Sequence, residues 1–126
     1  MIISLGQATD IAEKCHEANR QFCLSINDGT LLPWNMLTNE QRSTSIKGVL
    51  DILSGDVRSP EDSHVSWMEK KLADGWKYGQ TKSAQKKTHP DLVPYEQLSI
   101  VHKTKDYIFY SVCIYHLNVL KKQLET

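Results

Sequence analysis

Several stretches of the chain have apolar residues at the spacing of an amphipathic helix. In the first, Ile11, Cys15, Ala18 and Phe22 follow one another at steps of four, three and four residues, which places their side chains on one helix face. Asp10 stands directly before them and is a favourable N-cap residue. The pattern predicts a first helix that begins after Asp10 and ends before the next Asn-Asp-Gly sequence.

The second helix is framed by signals at both ends. Thr38 and Gln41 have the spacing of a capping box, and Gly55 is a typical residue for a helix C-terminus. Between them lies an apolar stripe at helical spacing, formed by Ile46, Val49, Leu50 and Leu53. The sequence therefore predicts a helix between Thr38 and Gly55.

The third helix has a favourable first turn. Ser59 is a candidate N-cap, Pro60 suits the first helical position, and the two acidic residues that follow favour the helix dipole. We expect this helix to end before Gly75. Its predicted buried stripe consists of Val65, Met68 and Leu72.

A long segment without helical or alternating periodicity follows, from Trp76 to Leu98. It contains Gly79, Pro90 and Pro94, and we expect short extended pieces at Trp76–Gly79 and Leu92–Tyr95. Segments of such length usually have a function or are held by their own side chains.

The last helix has a broad apolar face. Ser99 is its candidate N-cap. The apolar positions are Val101, Ile108, Phe109, Val112, Cys113, Leu117 and Leu120. A face of this width predicts a central helix that other helices contact from two sides.

The chain contains an internal repeat. A shift of 61 residues, which moves Pro33 onto Pro94, aligns Leu32–Thr38 with Val93–Ser99, and each copy has proline, an aromatic residue, leucine and a hydroxyl cap. We infer a single domain over residues 1–126 that is mainly α. Two pseudo-repeated helix-loop-helix halves, about 9–55 and 59–122, form a four-helix arrangement with short β elements in the loops. The seam between the halves is a natural ligand site.

Charge and composition exclude several functions. The chain has 15 basic and 15 acidic residues, so no long-range positive field draws it to a nucleic acid duplex or to an anionic membrane. No uncharged apolar run approaches the roughly 20 residues that a membrane span needs. The three cysteines form an odd number without metal-site spacing, which suits a reducing compartment. We therefore expect a cytoplasmic protein.

Motifs for catalysis, metal binding and cofactors are missing from the sequence. Cys15 and His16 are the nearest nucleophile and base, but neighbours on a helix point about 100° apart. No glycine-rich phosphate loop is present. The histidines share no ligand spacing; they are His16, His64, His89, His102 and His116. We expect no enzyme activity, no metal and no cofactor.

Aromatic and basic residues alternate after the third helix. Trp76 and Tyr78 offer faces for stacking a base, while positive or polar groups for phosphate come from Lys82, Lys86, Lys87 and His89. The alternative interpretation places the two rings in the core and the lysines in solvent.

Two further sets of candidates lie on the helices. Trp67 and Lys71, one turn apart on the third helix, either line the same site or shield its surface. A polar stripe on the first helix is either half-buried or faces a ligand; it consists of His16, Asn19, Arg20 and Cys23.

The C-terminal half resembles the repeat domain first named from ryanodine receptors. The matching residues are His64, Trp67, Lys71, Gly75, Trp76, Tyr78 and Gly79, then Lys87, Thr88, His89, Pro90, Leu92, Val93, Pro94, Tyr95 and Leu98. The N-terminal half is similar to the extended form found as small stand-alone proteins in bacteria and phages. This second similarity is carried by Cys15–Arg20, Pro33-Trp34, Ile46, Gly48 and Val49.

The resemblance implies a repeat made of a helix, two short strands and a second helix. In the calcium-release channels these domains lie on the cytoplasmic shell, outside the pore, so no channel activity is implied. In prokaryotes the family is associated with recognition of nucleotide-derived signals in defence systems. The chain departs from the family at Lys82-Ser83-Ala84, where relatives often carry an acidic residue. Asp106, which matches the family, is interpreted as a structural residue that caps or pairs with a loop cation.

Two functional hypotheses compete. The first is a non-enzymatic module for a nucleotide or nucleotide-like small molecule, and the second is a protein-interaction module that uses exposed aromatic residues as anchors. In the first, stacking surfaces come from Trp34, Trp67, Trp76, Tyr78 and Tyr95. Phosphate or polar edges are met by Arg20, Lys71, Lys86, Lys87 and His89.

Overall fold

The computed structural model describes residues 1–125, and these residues form a mainly α-helical fold. Their helices are α1 (Leu5–Ser25), α2 (Asn39–Ser54), α3 (Pro60–Ala73) and α4 (Ile100–Glu125). The shorter elements are the 3-10 turns Trp34–Met36 and Tyr95–Gln97 and the strands β1 (Lys77–Tyr78) and β2 (Thr88–His89). The predicted fold class, helical with short β elements in a loop, is confirmed.

Helix α1 begins earlier than the sequence suggested. Ser4, not Asp10, is the N-cap: its Oγ accepts from the Gln7 amide at 3.0 Å, and the Gln7 side chain accepts from the Ser4 amide at 2.9 Å. Asp10 lies inside the helix and pairs with Lys14 on the exposed face. The prediction was wrong because this capping box extends the buried stripe backward to Ala8.

The predicted ends of α2 and α3 are confirmed. The Thr38 hydroxyl accepts from the Gln41 amide at 3.1 Å, and Gly55 ends α2 with a φ of 88°, a conformation that favours glycine. The Ser59 hydroxyl accepts from the Asp62 amide at 3.1 Å at the start of α3. Local side-chain chemistry therefore sets both helices.

The buried face of α3 differs from the predicted one. Val65 and Leu72 are 39% and 54% exposed, whereas His64 is 5% exposed. His64 Nε2 lies 2.7 Å from the Val93 carbonyl oxygen and donates to it, since a carbonyl only accepts. This contact turns His64 toward the loop and leaves Val65 and Leu72 on the surface, so the predicted stripe was wrong at these two positions, while its third member, Met68, is half-buried.

The loop between α3 and α4 contains two paired strands. Lys77 and Tyr78 of β1 pair in parallel with Thr88 and His89 of β2. The first extended piece was predicted within Trp76–Gly79 and is confirmed. The second prediction, Leu92–Tyr95, was wrong, because the 3-10 turn at Tyr95 follows Pro94 and the partner strand lies earlier in the chain.

The core lies where α4 packs against α1 and α2 of the first half, while α3, which belongs to the same half as α4, also packs on α4. Its buried residues are Ala8, Ile11, Ala12, Cys15, Trp34, Val49, Ile52, Val57, Cys113 and Leu117. Gly48 allows α2 to approach α4, since a Cβ there would lie 3.2 Å from the Phe109 ring. The central position expected for α4 follows from these contacts.

The segments aligned by the 61-residue shift have the same local structure. Pro33 and Pro94 have φ and ψ of −56° and 150° and of −53° and 149°, and each precedes a 3-10 turn. The Leu32 carbonyl lies 2.6 Å from His16 Nε2, as the Val93 carbonyl lies 2.7 Å from His64 Nε2. In both halves a histidine on the first helix holds the turn that leads into the second helix.

Candidate ligand site

A cavity of about 620 Å³ lies between the two helical pairs. It is lined by Asn19 of α1, Gly48 of α2, Trp67 of α3, His89 of the loop and Asp106 of α4, among others. Both halves of the repeat therefore contribute side chains to one hollow. This volume falls within the range of about 300–1,000 Å³ that is typical of small-molecule sites.

Aromatic rings form one wall of the cavity. His64 stacks on Trp67 with ring centroids 5.6 Å apart, and the Trp67 and His89 rings meet edge to face at 4.9 Å. Trp76 lies behind His89 at 6.4 Å, and the Lys71 ammonium sits 4.2 Å from the centre of the Trp76 ring. Trp67 and His89 thus line the cavity, and Trp76 and Lys71 support them from outside it.

His89 is held as a neutral ring. Its Nδ1 accepts a hydrogen bond from the Asp91 amide at 3.0 Å, which leaves the ring proton on Nε2. Burial lowers the pKa of His89 below its ordinary value, and nearby Lys82 and Lys71 add to this effect while Asp91 opposes it. His89 therefore offers one N–H donor at neutral pH.

Two of the acidic residues in the cavity wall are already paired. Asp51 of α2 binds Lys47 on its own helix and Lys70 of α3, the latter at 3.4 Å, and so bridges the two helices beside the cavity. Asp91 of the loop lies 2.5 Å from His102 Nδ1 on α4. These side-chain contacts connect the cavity walls to one another.

Asp106 differs from these two acids. It lines the cavity, yet within residues 1–125 its carboxylate forms no hydrogen bond or ion pair, so the pairing with a loop cation suggested by the sequence is not present. Burial raises the pKa of Asp106 to about 6, against the opposing effect of His64 and His102. A carboxylate here lacks both full hydration and a protein donor.

The side-chain oxygen of Asn19 is a second acceptor without a partner among the described residues. Its Nδ2 donates to the Lys105 carbonyl of α4 at 3.1 Å, which fixes the orientation of the amide. Its Oδ1 is buried and has no hydrogen-bond partner in the part of the chain that the structure describes. The cavity wall near the Lys105–Asp106 turn of α4 is therefore rich in acceptors.

Two candidates from the first half lie away from the cavity lining. Arg20 pairs with Glu17 at 3.0 Å on α1. The other Glu17 oxygen accepts from the Trp34 amide at 3.1 Å, and Trp34 itself is 7% exposed within the core. These residues connect α1 to the turn before α2.

The remaining loop candidates also lie outside the lining. Lys87 Nζ donates to the Asp74 carbonyl at 2.8 Å and so caps the C-terminus of α3. Lys86 and Tyr78 are exposed. Tyr95 packs beside the His64 ring at 6.1 Å, with its own ring centre 5.5 Å from Lys103 Nζ. Of the ten sequence candidates, Trp67 and His89 are those that line the cavity.

Several lining residues were not sequence candidates for the site. They include Lys70, His102, Lys105, Asp106 and Phe109, whereas Lys82, which also lines the cavity, belongs to the run of aromatic and basic residues that the sequence indicated. One sequence signal was available for Asp106: an acidic residue between the apolar positions Val101 and Ile108 of the broad helix face. Phe109 was assigned to the apolar face of the last helix, and the remaining residues are of ordinary surface type, so that their convergence depends on the tertiary fold.

Residues 1–125 contain neither a candidate metal cluster nor a candidate membrane-spanning helix. No group of three or more His, Cys, Asp or Glu side chains is arranged to hold a metal ion in that range. No helix in the same range combines the length and apolar character needed to cross a membrane. The cysteines Cys15, Cys23 and Cys113 are buried free thiols.

Comparison with known proteins identifies the family. The family model for the RyR domain matches residues 58–125, which is more than half of the chain and includes α3, both strands and α4. A search of curated proteins finds no match. The match covers the wall of the cavity that carries Trp67, His89 and Asp106. The chain therefore belongs to the RyR domain family.

Proposed function

We propose that the cavity between the two halves binds a nucleotide or a nucleotide-like small molecule without chemical turnover. The observation that carries the proposal is the meeting of aromatic rings and cations in one hollow of about 620 Å³. Trp67 and Phe109 provide ring surfaces, and Lys82 and Lys105 provide positive charge. Stacking on a ring and pairing with phosphate are the two interactions that nucleotides use most.

The two lysines are available for an anion. Within the described part of the chain, neither the Lys82 nor the Lys105 ammonium forms a hydrogen bond or an ion pair, whereas Lys70 in the same wall is committed to Asp51. His89 adds a neutral N–H donor close to Lys82. Four hydroxyl groups in the wall suit a polar ligand; they belong to Thr44, Ser45, Ser63 and Ser66.

The thiol that is nearest a base in sequence is not an activated nucleophile. Cys15 is buried, its Sγ lies 3.5 Å from the Phe109 carbonyl, and its hydrogen bond with Cys113 and its burial raise its pKa far above the ordinary value. A thiol in this state is inert as a nucleophile.

Calorimetry with mono- and dinucleotides tests the proposal. We expect binding, and we expect Trp67→Ala to weaken it at least fivefold, since base–aromatic stacking contributes about 1–3 kcal/mol. The double variant Lys82→Ala/Lys105→Ala should weaken the binding of nucleotides more than the binding of the matching nucleosides. Lys121→Ala with Lys122→Ala, which removes two exposed lysines at the end of α4, is the charge-matched control and should leave affinity unchanged. Failure of every nucleotide to bind contradicts the proposal.

A protein-interaction module is the second candidate. It is favoured by the exposure of large apolar side chains at the end of α3 and in β1, where Leu72 is 54% and Tyr78 is 52% exposed. Exposed aromatic residues are common interface anchors. A partner captured by the wild type and lost with Tyr78→Ser, while nucleotide binding is unchanged, would establish this function.

We also propose that the chain works in the cytoplasm and is of the small bacterial or phage type. Its three buried free thiols support a reducing compartment. The similarity of the N-terminal half, outside the matched residues 58–125, supports the type.

A further inference from the structure

We infer that Asp106 reads the base of the ligand, and that it selects a guanine-type purine edge with two adjacent N–H donors. The inference rests on the proposed nucleotide site and goes further, because it assigns a specificity-determining residue and a base. Its basis is the one acidic group in the cavity wall that, within residues 1–125, has no protein donor.

Asp106 is placed to meet a base beside an aromatic ring. On α4 it lies between His102 and Phe109, at spacings of four and three residues, and all three residues line the cavity. Side chains at these spacings share a helix face. Phe109 is held in place by its close approach to Gly48 of α2. The ring and the carboxylate therefore belong to one surface of the cavity.

The other acids in the wall cannot take this role as readily. Asp51 is occupied by Lys47 and Lys70, and Asp91 is occupied by His102. Asp106 has two carboxylate oxygens and no donor among the described residues. A partly buried carboxylate raises the free energy of the protein unless a donor forms a hydrogen bond with it. A ligand with N–H groups would supply the donors that the protein itself does not provide.

The hydrogen-bond patterns of the common bases decide which ligand fits. A carboxylate offers two adjacent acceptors. Guanine presents N1–H and N2–H side by side, so both oxygens receive a proton. Adenine and cytosine present one N–H group next to a ring nitrogen lone pair, and uracil presents one N–H between two carbonyls. In these three bases an acceptor would face a carboxylate oxygen, which is unfavourable.

The charge on Asp106 must respond to pH in a defined way. The titratable groups that face it are His64 from α3, Asp91 from the loop, and His102 and Lys105 from α4. Two N–H donors require the ionised carboxylate, whose pKa in the free protein is about 6. Affinity for the guanine base should therefore fall about tenfold from pH 7 to pH 5, as the ionised fraction falls.

The decisive experiment exchanges the hydrogen-bond pattern of the side chain. Isothermal calorimetry at pH 7 compares guanosine, xanthosine and adenosine monophosphates on the wild type and on Asp106→Asn. We expect the wild type to bind the guanine nucleotide at least tenfold more tightly than the adenine nucleotide. The carboxamide introduced by Asp106→Asn would present one acceptor and one donor, which match N1–H and O2 of xanthine. This variant should therefore lose guanine affinity and gain xanthine affinity by at least tenfold.

Two controls keep the result interpretable. Asp10→Asn, an exposed acid outside this cavity, should leave all three affinities unchanged. The pH profile is measured with guanosine, which has no phosphate, so that protonation of His64, His89 or His102 does not change a phosphate contact. Circular dichroism confirms that both variants are folded.

The outcomes separate this inference from the proposed function. If adenosine monophosphate binds the wild type as tightly as the guanine nucleotide, or folded Asp106→Asn gains nothing for xanthine, the inference is wrong while the nucleotide site stands. If none of the three nucleotides binds, the inference is wrong, and the proposed function fails with it only when the remaining mono- and dinucleotides do not bind either.

Discussion

Asp106 links a local electrostatic cost to the stability of the fold. Burial raises its pKa from an ordinary 3.8 to about 6; Asp91 adds to this rise, and the opposing effects of His64 and His102 do not cancel it. Between these two pH values the folded protein binds more protons at this site than the unfolded chain does. The free energy of unfolding therefore falls as pH rises from about 4 to 6, because ionisation is disfavoured only in the folded state.

We predict that Asp106→Asn stabilises the protein at pH 7. The pKa shift of Asp106 sets an upper limit on the gain in the free energy of unfolding. Because the side chain keeps partial contact with solvent, we expect a smaller gain of about 1–2 kcal/mol. At pH 4 the wild-type carboxyl is largely protonated, so the gain should nearly vanish. Urea unfolding at both pH values measures it. Asp10→Asn, on the exposed face of α1, is the control; an equal effect of Asp106→Asn at both pH values would contradict the mechanism.

At the level of elements, the helix ends were the features best predicted from the sequence. Thr38 with Gln41, and Ser59 with Asp62, act through hydrogen bonds within one turn, so sequence spacing is sufficient to identify them. The buried face of α3 was different. It depends on the contact between His64 and the distant Val93 carbonyl, and no periodicity in the helix itself contains that information.

The strand pair shows the same limit. Lys77 and Thr88 are separated by a loop, and their parallel pairing requires the chain to turn back through the bridge between Ser83 and Thr88. Gly79 lies at the closest approach of the two segments: a Cβ there would stand 2.6 Å from Thr88 Cβ. A glycine at this position is therefore required by packing.

We predict that Gly79→Ala destabilises the protein by about 1–3 kcal/mol, the usual cost of forcing extra atoms into a packed contact. The strand pair positions His89, so nucleotide affinity should fall as well. Gly29→Ala is the matched control, because a Cβ there meets nothing within 4 Å. Thermal unfolding and calorimetry measure both effects. If Gly79→Ala and Gly29→Ala have the same stability and affinity, the strand pair accommodates the added Cβ without cost and the prediction is wrong.

For the molecule as a whole, the position of the candidate site was predicted better than the residues that line it. The 61-residue repeat indicated two halves, and the cavity lies at their seam, lined by both. Trp67 and His89 were recognised from their residue types, since they lie close in sequence to other aromatic and basic residues. Asn19, Lys82 and Lys105 come from three separate segments, and only the packing of α1, the loop and α4 brings them together.

The buried core is divided unequally between the halves. Most of its fully buried residues, such as Ile11, Cys15 and Val49, belong to α1 and α2, whereas α4 contributes Cys113 and Leu117. Within residues 58–125, the segment that matches the family model, α4 would thus lose the partners that cover one side of it. We therefore expect the cooperative folding unit to be longer than the segment that matches the family model.

We predict that residues 58–125 expressed alone do not fold cooperatively, since the apolar face around Cys113 and Leu117 would be exposed to water. Urea titration followed by near-ultraviolet circular dichroism should show a broad, non-cooperative change for this fragment and a single sharp transition for the full chain. Mixing it with residues 1–57 should restore the sharp transition, because α1 and α2 supply the missing contacts. A fragment that unfolds cooperatively on its own would instead show that α3, the strands and α4 form an independent domain, and that the cavity lies between two domains.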